Sequence, residues 1–243
     1  MSQTNLTVPN DNNANYNQHA NAYADVSKQS PPWLYFDKPA LDTLLDDSVQ
    51  KDVKILELGC GSGKVIDYLC AKGALESNIT GIDSSSELIG IAQKNHPQAD
   101  FVVQDISLMD LHKDTYNLIL AVRIFEYLPL EALQTILHTC YASLKPGGEL
   151  IMIVGHPIRV NGPNIATYQD RGSRSHIVPG GIPVELMHKT VSDYINALTQ
   201  AGFGINRVDE TAPSEVLQQS SPADYERYSS YGAVTLVVKA TKQ

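Results

Sequence analysis

Three glycines on alternate positions, Gly59, Gly61 and Gly63, separate an apolar run, Val53 to Leu58, from an amphipathic one, Val65 to Ala71. That pattern is a buried strand, a tight turn and a helix start. Glycines there let the backbone approach a ligand without Cβ clashes. The helix behind them adds free N–H groups and a partial positive charge. About twenty residues on, Asn78-Ile-Thr-Gly-Ile-Asp83 reads as a second strand ending in a carboxylate suited to a ribose diol. A glycine cradle followed by such an acid is the logic of a nucleotide site in a doubly wound α/β sheet. The spacing differs from the Gly-x-Gly-x-x-Gly of pyrophosphate loops, and Val65 stands where a P-loop requires Ser or Thr.

Glu57-x-Gly-x-Gly-x-Gly resembles motif I of the class I S-adenosylmethionine (SAM) methyltransferases. Asp83, Asp105 and the run Leu144-Lys-Pro-Gly-Gly-Glu-Leu-Ile151 fall where that family places its later motifs, and the resemblance runs from about Tyr16 to the C-terminus. It implies a Rossmann-like α/β sheet of seven strands whose last strand runs antiparallel, with SAM as cofactor. Carried over residue by residue, the cofactor set is Tyr16, Glu57, Gly59, Cys60, Gly61, Asp83, Ser84, Asp105, Ile106 and Ala121. Asp105 then accepts the adenine amino group, and the Ile106 backbone N–H reaches the ring. A Tyr-x-x-x-Ala-x-x-Tyr helix near the N-terminus lids the pocket in similar enzymes. That makes Tyr16 a lid residue here and Tyr23 a substrate contact or a packing aromatic. Relatives often carry an Arg after this helix to hold the SAM carboxylate. Trp33-Leu34-Tyr35 occupies that region, which leaves the carboxylate anchor open.

The elements that position these residues follow from pattern. Met1 to Asn15 is rich in Asn and is expected to be a disordered tail, with residues 16–243 forming a single domain. Residues 16–45 read as lid helices. Ser84-Ser-Ser-Glu87 opens a helix with a capping-box arrangement. Phe101 to Ile106, Tyr116 to Val122 and Glu149 to Val154 read as further strands. Residues 155–189 have no clear period and leave the carboxyl end of a central strand, so they read as an irregular substrate lid. Thr190 to Gly202 is a capped helix with a glycine stop. Gly204 to Val208 and Ala233 to Ala240 close the sheet, joined by a linker from Thr211 to Tyr231.

Methyl transfer is an in-line displacement, and a base serves only where the acceptor must lose a proton. His156, just past the fifth strand, is the candidate base; the alternative is a loop histidine bonded to backbone. Arg123 either orients an acidic substrate or pairs with Glu126. Tyr168 and His188, on the insertion, are candidate substrate contacts, and His176 is a weaker one. No metal is expected, because no His/Cys/Asp group has metal-ligand spacing along the chain. The net charge of −9 disfavours a nucleic-acid substrate. No apolar run is long enough for a membrane span, and the N-terminus has no secretory pattern. Three scattered cysteines read as reduced thiols in a cytoplasm. The expectation is a cytoplasmic, biosynthetic SAM-dependent methyltransferase, monomer or homodimer, acting at N or O of a small molecule. An NAD(P)-binding oxidoreductase and a non-catalytic SAM-binding regulator are the competing readings.

Overall fold

The computed structural model describes residues 12–45, 49, 52–162 and 164–243. In chain order the helices and strands are α1 (Asn12–Gln18), α2 (Ala20–Ser27), α3 (Lys38–Leu44), β1 (Ile55–Leu58), α4 (Lys64–Ala71), β2 (Ile79–Asp83), α5 (Ser86–Asn95), β3 (Asp100–Val103), β4 (Tyr116–Val122), α6 (Leu130–Ser143), β5 (Leu144–Gly155), α7 (Pro157–Asn161), β6 (Gly172–Val178), β7 (Ile182–His188), α8 (Val191–Gln200), β8 (Phe203–Thr211), α9 (Glu215–Ser220), α10 (Pro222–Ser229) and β9 (Thr235–Lys242). A π-helical turn, Trp33–Asp37, leads straight into α3.

Seven strands form one sheet in the order β3-β2-β1-β4-β5-β9-β8. β1 to β5 pair in parallel, and β9 lies antiparallel between β5 and β8, as the resemblance implied. Strand alternation divides the core. Ile119 and Ala121 of β4 face α6 and α8, with Leu133, Leu137 and Leu198. Leu118, Leu120 and Val122 face α3 and α4, with Leu41, Ile66 and Leu69. Each fully buried Leu or Ile contributes roughly 1.5–3 kcal/mol. The strand order reverses between β1 and β4. The crevice beyond the carboxyl ends of these two strands is where ligands bind in such sheets. Among the described residues, no helix is long and apolar enough to cross a membrane.

Three expectations need correction. Asn12 to Asn15, assigned to a disordered tail, lie in α1, because their side chains find backbone partners on β7. Asn12 donates to the Glu185 carbonyl (3.0 Å) and accepts from the Glu185 N–H (2.9 Å), and Asn15 donates to the Pro183 carbonyl (3.0 Å). The remainder of that tail, residues 1–11, lies outside the described residues. The insertion 155–189 is not irregular. It holds α7 and a hairpin, β6–β7, whose residues Ile182, Val184 and Leu186 are buried on one face. The linker 211–231 contains α9 and α10, and Tyr228 packs against Phe36.

Candidate active site

A cavity of about 470 Å³ opens at the switch point, under α1 and the β6–β7 hairpin. The loop after β1 forms its floor. Gly59, Gly61 and Gly63 all have positive φ (67°, 53° and 86°). At Gly59 a side chain is excluded twice over, since a Cβ there would lie 2.7 Å from Ile124. The Gly59 and Cys60 N–H groups both donate to the Ile82 carbonyl (2.8 and 3.1 Å), locking the loop to β2.

Asp83, ending β2, faces the cavity and accepts from the Gly61 N–H (2.8 Å) and the Ser85 N–H (2.9 Å). Burial raises its carboxyl pKa, and the backbone donors work against that rise. Ser85 caps α5 by accepting from Leu88 N (3.2 Å) and donates its hydroxyl to Asn17 of α1 (2.7 Å). The lid helix is thus tied both to the hairpin and to the cofactor side of the cavity. Ser84, Asp105 and Ile106 also line it. Asp105 spends one oxygen on the Ser107 N–H (2.8 Å), so it both shapes its turn and borders the cavity.

The deep end is unusually polar. Seven buried side-chain N or O atoms among the described residues lack a partner. Four of them, Ser27 Oγ, Glu57 Oε2, Ser62 Oγ and Arg123 Nη1, belong to residues that line this one cavity. Lys64 lines it too, its ammonium 4.7 Å from the centre of the Trp33 ring. Burial pushes Glu57 well above the usual carboxylate range, with Lys64 opposing the shift. Burial also lowers the Lys64 pKa. Unsatisfied buried polar atoms are costly. Together these residues offer donors for a carboxylate and an acceptor for an ammonium. That set fits the amino-acid end of SAM.

Tyr16, Tyr23 and Tyr127 also line the cavity. Tyr16 and Tyr127 share a hydrogen bond between hydroxyls (2.7 Å), and Tyr16 meets the other two rings edge-on at 5.1 and 6.2 Å. Burial holds all three phenols above their usual pKa. Lys189 donates to the Leu128 carbonyl (2.6 Å) and the Met187 carbonyl (2.7 Å). Its own pKa is brought down by burial to about 8. Leu128 and Met187 both line the cavity, so one buried lysine clamps the hairpin to the loop after β4.

Tyr16, Glu57, Gly59, Cys60, Gly61, Asp83, Ser84, Asp105, Ile106, Tyr23 and Arg123 therefore converge on one cavity. Five other residues do not join them. Ala121 points into the core on the α6 face, and its neighbour Val122 borders the cavity instead. His156 is buried, with Nδ1 accepting from the Ile158 N–H (3.2 Å) and Nε2 2.6 Å from Glu210. Nδ1 must be unprotonated to accept, so Nε2 carries the proton and donates to Glu210. Both nitrogens are spent on capping α7 and tying it to β8, so the reading of His156 as base is corrected to a structural one. His156→Ala is expected to cost about 1–3 kcal/mol of stability, the cost of an orphaned buried donor, while leaving S-adenosylhomocysteine affinity unchanged. Thermal melts and calorimetry check this, and a collapse of turnover at unchanged stability would restore the base.

Tyr168 accepts from the Val191 N–H (3.2 Å), and its carbonyl lies 2.8 Å from His188 Nε2. These two residues pin the hairpin to α8 and do not reach the cavity. His176 Nε2 lies 2.9 Å from the Val160 carbonyl. Arg123 pairs with Asp37, not Glu126. Its Nη2 lies 2.7 Å from Asp37 Oδ1, and its Nε lies 3.1 Å from both oxygens. Glu126 instead accepts from the Gly155 N–H.

The glycine cradle at the switch point and the antiparallel β9 are those of the class I SAM-dependent methyltransferase fold. Residues 55–148 match the family described as a methyltransferase domain. The chain is 30% identical over 141 residues to a malonyl-[acyl-carrier protein] O-methyltransferase of Priestia megaterium, covering 56% of this chain and 48% of that one. It is 31% identical over 105 residues to a ubiquinone biosynthesis O-methyltransferase of Coxiella burnetii, covering 41% and 42%. The matches thus span about half or less of those relatives. A crystal structure of a SAM-dependent methyltransferase from Mesorhizobium loti superposes with a TM-score of 0.73 at 25% identity, covering 87% of this chain and 98% of that one.

Proposed function

We propose that the protein transfers the methyl group of SAM to an oxygen or nitrogen of a small-molecule acceptor in the cytoplasm. The observation that carries this reading is the convergence of Ser27, Glu57, Ser62, Lys64 and Arg123 in the lining of one cavity, together with Asp83 and the three tyrosines. The names of the two curated relatives favour oxygen, and the three free cysteines suit a reducing compartment.

SAM supplies a methyl group on a sulfonium, already activated for displacement. The chain's own work is to bind, orient and exclude water. Glu57, with Lys64, Arg123 and the two serines, takes the zwitterionic head, and Asp83 takes the ribose. Asp105 and Ile106 border the adenine end. Tyr16, Tyr23 and Tyr127 form an apolar wall at the acceptor end, with α1 and the hairpin as its roof. Holding donor and acceptor in line lowers the barrier by up to roughly 7–11 kcal/mol. With His156 engaged elsewhere, this site relies on acceptors that arrive already nucleophilic, such as a carboxylate, an ionised hydroxyl or a neutral amine.

The test is transfer of labelled methyl from SAM into a fractionated extract of the source cells. Label in the small-molecule fraction supports the reading and yields a product whose mass identifies the acceptor. Label confined to protein or RNA overturns the substrate class. Lys64→Met gives a second check on the cofactor's orientation. Its affinity for S-adenosylhomocysteine is expected to fall about 10-fold or more, the worth of one charged hydrogen bond. Affinity for 5′-methylthioadenosine, which lacks the amino-acid end, should be unchanged. Equal losses on both would remove Lys64 from that subsite.

A further inference from the structure

Behind α4, outside the cofactor cavity, three side chains from separate elements come together. Cys70 lies in the last turn of α4, Glu76 in the short turn before β2, and His96 just past α5. Their ligand atoms, a sulfur, a carboxylate oxygen and an imidazole nitrogen, all lie within 4.8 Å of one another. His96 Nδ1 is 2.8 Å from Glu76 Oε1. Its Nε2 is 3.1 Å from Asp67 Oδ1, but without hydrogen-bond geometry, so this nitrogen is buried and unpartnered on a residue only 5% exposed. Asp67 also pairs with Lys28 at the rim. Both Glu76 and Asp67 set a negative field at the Cys70 sulfur.

We propose that Cys70, Glu76 and His96 Nδ1 form a binding site for a borderline-soft divalent cation of the zinc type, with water in the fourth position and Asp67 beside the opposite ring nitrogen of His96. The donor set is one thiolate, one imidazole and one carboxylate, which with a water zinc accepts in tetrahedral geometry. Zinc bonds of about 2.0–2.3 Å ask the three donors to close up slightly from their present spacing. All three residues lie on a short turn or at helix ends, where side-chain rotation supplies that movement. On binding, the Cys70 thiol gives its proton to solvent, the imidazole binds in its neutral form, and the ion takes the place of the His96–Glu76 hydrogen bond. The site is joined to the cofactor loop. A Cβ at Gly63 would lie 2.8 Å from His96 Cδ2, so the imidazole packs directly beneath the glycine that starts α4.

The residues are separated by gaps that match no metal signature, which is why the chain alone suggests no metal. Only the crossing of α4 and α5 beside β2 makes them neighbours.

The experiment is titration of the metal-free full chain with Co²⁺, followed by Zn²⁺. The expected result is one Co²⁺ per chain, a thiolate-to-cobalt charge-transfer band with the intense visible bands of tetrahedral cobalt, and displacement by Zn²⁺. Cys70→Ser should abolish the charge-transfer band, and Glu76→Gln should weaken Co²⁺ at least 10-fold, with the far-UV spectrum of both variants unchanged. Absence of the band in the parent protein, or its survival in Cys70→Ser, overturns the proposal. The first outcome would leave the three side chains as a packing contact, and the second would move the ion to another cysteine.

Discussion

Asp83→Ala is expected to lower S-adenosylhomocysteine affinity by about 10²–10⁴-fold, measured by calorimetry. Hydrogen bonds to a charged group contribute about 1.5–3 kcal/mol each. The substitution removes two to the ribose, and every 1.4 kcal/mol is tenfold in affinity. It also releases the Gly61 and Ser85 N–H groups that the carboxylate holds at 2.8 and 2.9 Å, loosening the cradle itself. Unchanged affinity would remove the ribose assignment. The pH dependence has a definite sign. Burial raises the Asp83 pKa above its ordinary 3.8, so this carboxylate loses its charge at a higher pH than an exposed aspartate would. Cofactor affinity should fall as pH drops through that raised value, and Asp83→Asn should abolish the dependence along with the affinity.

The second large effect is on stability. Arg123→Met should destabilise the protein by about 3–5 kcal/mol, the usual cost of stripping one partner from a buried ion pair. Asp37 is only 1% exposed, and the Arg123 guanidinium is its partner through two nitrogens. At this chain length that corresponds to a fall in Tm of about 6–20 °C. Arg123 has a φ of 60°, in the left-handed region, where a non-glycine residue costs about 1–2 kcal/mol. The ion pair and the Thr235 hydroxyl, 2.7 Å from Nη2, hold that strained corner in place. Asp37→Asn should be comparably damaging, and the double variant should lose much less than the sum of the singles. Additive losses would mean that the two side chains are not coupled.

Much of this was legible in the sequence because the information was local. The Gly59 to Gly63 turn, the apolar β1 and β4 and the capped α8 announce themselves within a dozen residues. Thr190 accepts from Asp193 N as its pattern implied. What escaped was non-local. Nothing near Arg123 in sequence marks Asp37 as its partner, because the π-helical turn that buries Asp37 has no pattern of its own. The anchor at the deep end was open for the same reason. The cations that line the cavity are Lys64, from the far side of the glycine loop, and Arg123, past β4. The hairpin β6–β7 was legible and missed. Ile182, Val184 and Leu186 alternate after a Pro179-Gly180-Gly181 turn, a period-two signal masked by the polar residues of β6. His156 misled because its place after β5 fits a ligand-facing residue. The Glu210 that claims it arrives from β8, more than fifty residues later.

The polar ties that α1 and Lys189 make to the β6–β7 hairpin over the cavity run largely to its main-chain atoms. Lys189 grips the Leu128 and Met187 carbonyls, Asn12 grips both backbone groups of Glu185, and Asn15 grips the Pro183 carbonyl. A latch that reads backbone is indifferent to what the hairpin's other side chains are. The cavity-lining Glu185 and Met187 are therefore free to diverge between lineages, or to be randomised in a library, without undoing the closure, provided that the buried Ile182, Val184 and Leu186 are kept. Acceptor preference in this scaffold should evolve by exchanging hairpin residues while Asn12, Asn15 and Lys189 stay fixed.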